Sequence, residues 1–117
     1  MHDALSKLLN DFIAREDIIA AAVIGTDGLI IDSASHKNID MDRIGALFGI
    51  YFANTAAQSQ DIRVLQLPKQ EAADYVFLGC ASGALLALFT NSAFTETVRK
   101  NFENDIQQIS LALTEGT

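Results

Sequence analysis

The sequence predicts an α+β domain in which one antiparallel sheet is sandwiched between helices. Two pairs of aliphatic runs, each pair joined by a short glycine-containing turn, predict two β-hairpins. Three segments, near 3–15, 40–58 and 92–113, carry apolar residues at intervals of three and four, which is the spacing of an amphipathic helix. The order is helix, two strands, helix, three strands, helix, and 117 residues make one domain spanning 1–117.

The N-terminal part of the chain predicts a helix followed by a hairpin. The helix runs from Asp3 to Arg15, and the hairpin strands are Ile18–Ile24 and Leu29–Ser33, joined through Gly25–Gly28. Two glycines here do not make a phosphate loop, because no Gly-Lys-Ser/Thr ending follows and a strand comes next. The apolar side chains that share one face of the helix are Leu5, Leu8, Leu9, Phe12 and Ile13.

The central helix is predicted from Asp40, its N-cap, to about Gln58. Its bulky residues gather on one side, which we expect to pack on the sheet. Glycine inside a helix costs about 1 kcal/mol relative to alanine. Close approach of a second backbone is one reason to keep glycines there, and packing against strand connections of the same chain is the alternative. The helix carries a seam of mostly small residues, namely Gly45, Gly49, Phe52 and Ala56 with Ala53 beside it, and apolar residues opposite the sheet, namely Ala46, Ile50, Ala53 and Ala57.

The C-terminal half predicts three strands and a last helix. A short strand over Ile62–Leu67 is stopped by Pro68, which is tolerated at a strand end or edge. Strands Tyr75–Ala81 and Ala84–Thr90 flank the turn Ser82-Gly83. The closing helix has Asn91 or Ser92 as its expected cap, and its apolar positions are Phe94, Val98, Phe102, Ile106, Ile109 and Leu113.

Charge and cysteine content narrow the class of function. A formal charge of -7, with eight basic residues scattered among fifteen acidic ones, argues against a nucleic-acid partner and against an anionic membrane. The single cysteine, Cys80, allows no disulfide within the chain. Because Met1-His2-Asp3 starts no signal peptide and no apolar run is long enough to span a membrane, we expect a cytoplasmic protein.

Catalytic candidates are few. We expect His2 and His36 to be solvated in a terminus and a loop, and Cys80 to be a buried small hydrophobe whose apolar neighbours raise its pKa. No triad, metal-ligand spacing or reliable carboxylate pair is present in the sequence. We therefore expect no intrinsic enzyme activity, no cofactor and no metal.

With these elements in place, the chain resembles the Roadblock and dynein light-chain family, in particular its prokaryotic, MglB-like GTPase regulators. The resemblance rests on Ile19–Ile31 with its Asp27-Gly28 turn, on the helix that follows, and on Leu85–Phe89 before a last helix. It implies a five-stranded antiparallel sheet with the central helix on one face and the terminal helices on the other. It also implies a homodimer that pairs through the central helix and the third strand, and a small Ras-like GTPase as partner.

The resemblance and the small-residue seam together nominate two sets of residues. Two alternatives to a GTPase-binding module remain. One is a GTPase-activating protein, for which Arg43 would be the arginine inserted into the partner's active site, and the other is a small-molecule sensor, which needs a cavity of about 300 Å³ or more. The expected dimer interface consists of Gly45, Gly49, Phe52, Ala53, Ala56, Arg63 and Leu65, and the expected partner surface of Arg43, Ala46, Ile50, Asn54 and Ala57.

Overall fold

The helices and strands follow the predicted order along the part of the chain that the structure describes. A computed structural model describes residues 3–25, 29–36, 62–67 and 73–115. The predicted central helix, 40–58, therefore lies outside the described residues. The described elements are α1 (Asp3–Ile13), β1 (Ile18–Ile24), β2 (Ile30–Ser35), β3 (Arg63–Gln66), β4 (Tyr75–Ala81), β5 (Ala84–Thr90) and α2 (Glu96–Glu115).

The strands form a five-stranded antiparallel sheet, as predicted. Their spatial order is β2-β1-β5-β4-β3, so β1 and β5 are interior strands and β2 and β3 are the outer ones. Every residue of β1 and of β5 is buried. Burial on both faces explains why these strands read as continuous apolar runs rather than as alternating patterns.

Both described helices lie on one face of the sheet, which confirms that the first and last helices share a face. The core on this face joins Leu9 and Phe12 of α1, Phe102 and Ile109 of α2, and sheet residues such as Phe77. The other face carries a second buried cluster around Ile24, Val76 and Leu85. The segment assigned to that face by the sequence is 40–58, outside the described residues.

The β4–β5 hairpin turns through Ser82 and Gly83. Their φ angles are 49° and 80°, both positive, and Ala81 pairs with Ala84 immediately outside them. Two consecutive positive φ values define a type I′ turn, whose twist suits a two-residue hairpin. At the other hairpin, the Gly25 N–H donates to the Leu29 carbonyl at 2.8 Å, and the turn residues 26–28 lie outside the described residues.

The start of α2 differs from the prediction. Thr95, rather than Asn91 or Ser92, caps the helix, since its Oγ1 accepts from the Val98 N–H at 3.2 Å. The two expected caps are used elsewhere. The Asn91 amide oxygen accepts from the Asp74 N–H at 3.1 Å, and the Ser92 hydroxyl donates to the Asp17 carboxylate.

An ion pair that the sequence analysis missed ties α1 to α2. Arg15 donates two hydrogen bonds to the Asp105 carboxylate, at 2.7 and 2.8 Å, and these raise the pKa of Arg15. Asp105 is 1% exposed and the Arg15 side chain 41%, so the carboxylate is the buried partner. The guanidinium also lies 5.0 Å from the Phe12 ring centroid. A sequence signal existed, because Asp105 follows Phe102 by three positions and precedes Ile109 by four, within the apolar stripe.

Gly79 allows α2 to approach β4 closely. A Cβ placed on this residue would lie 2.4 Å from Ile106 Cδ1 and 3.3 Å from Phe102 Cε2. Real Cβ atoms do not come that near, so Ile106 would have to move. The absence of a side chain at Gly79 thus allows the short packing distance between α2 and β4.

Candidate functional site

The outer strand β3 is the part of the described sheet best placed to contact another protein. It has only four residues, and it pairs with β4 in the register Arg63 to Leu78, Val64 to Phe77, Leu65 to Val76 and Gln66 to Tyr75. Residues directly opposite each other in an antiparallel pair share a face of the sheet. Leu65 therefore lies on the face of Val76, and Val64 on the face of Phe77.

The hydrogen-bond pattern of β3 shows which backbone groups point outward. The Leu67 N–H donates to the carbonyl of Asp74, just before β4, at 2.8 Å. Hydrogen-bonded and non-hydrogen-bonded pairs alternate along an antiparallel ladder, so the backbone groups of Leu65 and Arg63 also face β4. The N–H and C=O groups of Val64 and Gln66 consequently point away from β4. We call this row of outward groups the β3 edge.

The side chains of β3 are a mixture that suits a protein interface. Val64 is 37% exposed, Arg63 is exposed and Leu65 is half-buried against the second core cluster. Arg15 and Arg99 are held in salt bridges, whereas Arg63 forms none with any described residue. Arginine and exposed apolar side chains are both typical of protein interfaces, and on β3 they lie on opposite faces of the sheet.

An open groove runs beside β3 at the edge of the sheet and is bordered by α2. It has a volume of about 600 Å³ and is lined by Ile62, Arg63, Cys80, Phe94, Arg99, Glu103, Ile106 and Gln107. We call it the β3–α2 groove. Phe94 packs edge-on against Phe77, with ring centroids 4.9 Å apart. The groove exceeds the size that a small-molecule site needs, but it is open along one side, whereas such sites enclose most of their ligand.

The titratable groups of this groove form a salt-bridged rim. Arg99 contacts Glu96 at 2.9 Å and Glu103 at 3.3 Å, and its hydrogen bond lowers the pKa of the Glu96 carboxyl. Cys80 is half-buried rather than buried as predicted, and burial raises the pKa of its thiol. A raised thiol pKa disfavours the nucleophilic thiolate. The rim can therefore orient a protein surface, and it offers no activated nucleophile.

The remaining predicted site residues divide into two groups. His36 is exposed as predicted, and its Nε2 donates to the Ile13 carbonyl at the end of α1, so it also caps that helix. Arg63 and Leu65 lie together on β3, as described above. The other expected interface and partner residues lie outside the described residues, as does His2: Arg43, Gly45, Ala46, Gly49, Ile50, Phe52, Ala53, Asn54, Ala56 and Ala57.

Two negative findings apply to the described part of the chain. Within it, no group of three or more His, Cys, Asp or Glu side chains is arranged to hold a metal ion. Neither of its helices combines the length and apolarity needed to cross a bilayer.

Comparison with known proteins identifies the architecture. No protein-family model matches the chain, and no curated protein does. Among solved structures, Myxococcus xanthus MglB superposes with a TM-score of 0.78 at 14% identity, covering 97% of each chain. The gliding protein MglB from Thermus thermophilus gives 0.75 at 16% identity, covering 97% of this chain and 91% of its own. A Roadblock/LC7 domain from Streptomyces avermitilis gives 0.67 at 17% identity, covering 93% and 97%.

The chain has the Roadblock/LC7 fold. The resemblance seen in the sequence is thus confirmed in three dimensions, over almost the whole chain and at identities too low for a sequence comparison to detect. Another solved structure of this fold, 18% identical with a TM-score of 0.75, is an MglB with a tetrameric arrangement. In this chain, β3 is an outer strand, and α1 and α2 occupy the face of the sheet away from the second core cluster.

Proposed function

We propose that this chain is a cytoplasmic, non-catalytic homodimeric module that binds and regulates a small Ras-like GTPase. The observation that carries the proposal is the β3 edge on a Roadblock/LC7 fold. The fold's likeness to MglB supports a regulatory role, and a tetrameric MglB supports self-association as a property of the architecture. The salt-bridged rim and the raised thiol pKa favour binding over chemistry.

The proposed dimer joins two β3 edges into one continuous sheet. The outward N–H and C=O groups of Val64 and Gln66 would pair with the same groups of a second chain around a twofold axis. A four-residue strand is too small an interface by itself, because stable complexes bury about 1,200–2,000 Å² in total. We assign the remaining contact to the seam of Gly45, Gly49, Phe52, Ala53 and Ala56, together with Arg63 and Leu65.

Proline substitution tests the β3 edge directly. Val64→Pro removes an outward N–H while leaving the bonds to β4 in place, so the dimer should weaken by about tenfold or more, through a lost hydrogen bond and the bulk of the ring. Ser33→Pro is the control on the other outer strand, because the Ser33 N–H also points away from its neighbouring strand but is already accepted by Asp32 Oδ1, so it is not available to a second chain. Sedimentation velocity at low micromolar concentration measures both. A monomeric wild type, or equal behaviour of the two variants, contradicts the proposal.

A second variant tests the seam. Gly49→Leu places a large side chain where two helices are proposed to approach, so it should also shift the chain toward monomer. Ala57→Leu is a control on the same predicted helix but outside the seam. If Gly49→Leu leaves the dimer intact and Val64→Pro separates it, the contact that accompanies β3 lies outside the seam.

The proposed GTPase platform is centred on Ile50, with Ala46, Ala53 and Ala57 around it and Arg43 and Asn54 as a polar border. A central apolar anchor usually contributes more to affinity than the rim. Ile50→Asp should therefore weaken capture of the GTPase, because binding would desolvate an unpaired charge. The measurement is a titration of the Ras-like GTPase encoded by a neighbouring gene, in both nucleotide states. A folded Ile50→Asp dimer that binds as tightly as wild type would exclude this surface.

Arg43 and Arg63 are the two candidate arginines through which the module could also stimulate GTP hydrolysis by its partner. Arg15 and Arg99 are held in salt bridges, whereas Arg63 has none with a described residue, and Arg43 was nominated from the sequence. Single-turnover GTP hydrolysis with Arg43→Ala and Arg63→Ala separates the cases. Loss of stimulation with binding intact identifies an inserted arginine. Unchanged rates with both variants favour a scaffold.

A further inference from the structure

No further inference is drawn: the strongest candidate, the open β3–α2 groove at the edge of the sheet, is an unpartnered surface, and nothing among the described residues shows what covers it.

Discussion

The two outer strands differ in how available their backbones are. On β2, the pairing of Ala22 with Ser33 leaves the Ser33 N–H pointing outward, and the Asp32 Oδ1 accepts it at 2.8 Å. A β-bulge between Val23 and Ile24 further distorts that edge. On β3, no described side chain accepts from Val64 or Gln66. Proteins commonly block the edges they do not use for pairing. Among the described residues, the β2 edge is thus blocked and the β3 edge is not, which supports the strand pairing proposed at β3.

The two groups of ion pairs also differ in burial, because the Arg15–Asp105 pair between α1 and α2 buries its carboxylate, whereas the Arg99 pairs beside β3 are exposed on both sides. Arg15→Met should lower the free energy of unfolding by about 3 kcal/mol, because it leaves a buried carboxylate without its cation. Asp105→Asn should cost less, since Arg15 is 41% exposed and can turn toward water. Urea denaturation of the two variants measures the asymmetry. Equal losses of unfolding free energy would mean that Arg15 without Asp105 is as poorly solvated as Asp105 without Arg15.

Helix packing beside β3 depends on Gly79. Gly79→Ala should destabilise by about 1–3 kcal/mol, because its Cβ would overlap Ile106 Cδ1. Ile106→Val removes that methyl group, so the double variant should lose less stability than the two single losses added together. Thermal unfolding of all four proteins completes the cycle. Simple additivity would show that β4 itself moves to make room, and that this half of the sheet is looser than the packing suggests.

Much of the fold was predictable because its signals are local. The strands Ile18–Ile24, Tyr75–Ala81 and Ala84–Thr90 were predicted to the residue, since apolar runs and turn residues define them without help from distant parts of the chain. The β3 strand was predicted two residues too long, because an edge strand has only one neighbour to extend its ladder. The antiparallel sheet then follows from two tight hairpins.

The candidate site was less predictable because it depends on contacts between distant segments. Arg15 and Asp105 are separated by 90 positions, and the cap of α2 passed to Thr95 because Asn91 and Ser92 bond Asp74 and Asp17. Periodicity could place Leu65 on a strand, but only the strand order shows that this strand is an outer one. The seam around Gly49 and the platform around Ile50 stay predictions.

Removing the side chain that accepts the outward Ser33 N–H should leave the β2 edge open to pairing with other chains, as is proposed for the β3 edge. Asp32→Ala removes the acceptor of the Ser33 N–H, so we expect a loss of about 0.5–1.5 kcal/mol and faster aggregation at high concentration. Asp32→Asn is the matched control, because it removes the charge but keeps an amide oxygen in the same position. Light scattering on heating measures aggregation. If Asn and Ala behave alike, the negative charge rather than the hydrogen bond protects this edge.

The smallest expected effect concerns Cys80, the single cysteine, which reports on the β3 side without background from other thiols. Burial raises the pKa of its thiol, so near pH 8 the folded chain should be alkylated by iodoacetamide several-fold more slowly than the urea-unfolded chain. The same shift means that ionisation favours the unfolded state. The stability that the protonated Cys80 thiol contributes is thus present below the unfolded thiol's pKa, and it is lost as the pH rises through the higher pKa of the folded chain. Equal alkylation rates would show that β3 and the neighbouring end of β4 open often enough to expose the thiol, and Val64→Pro would then be expected to leave that rate unchanged.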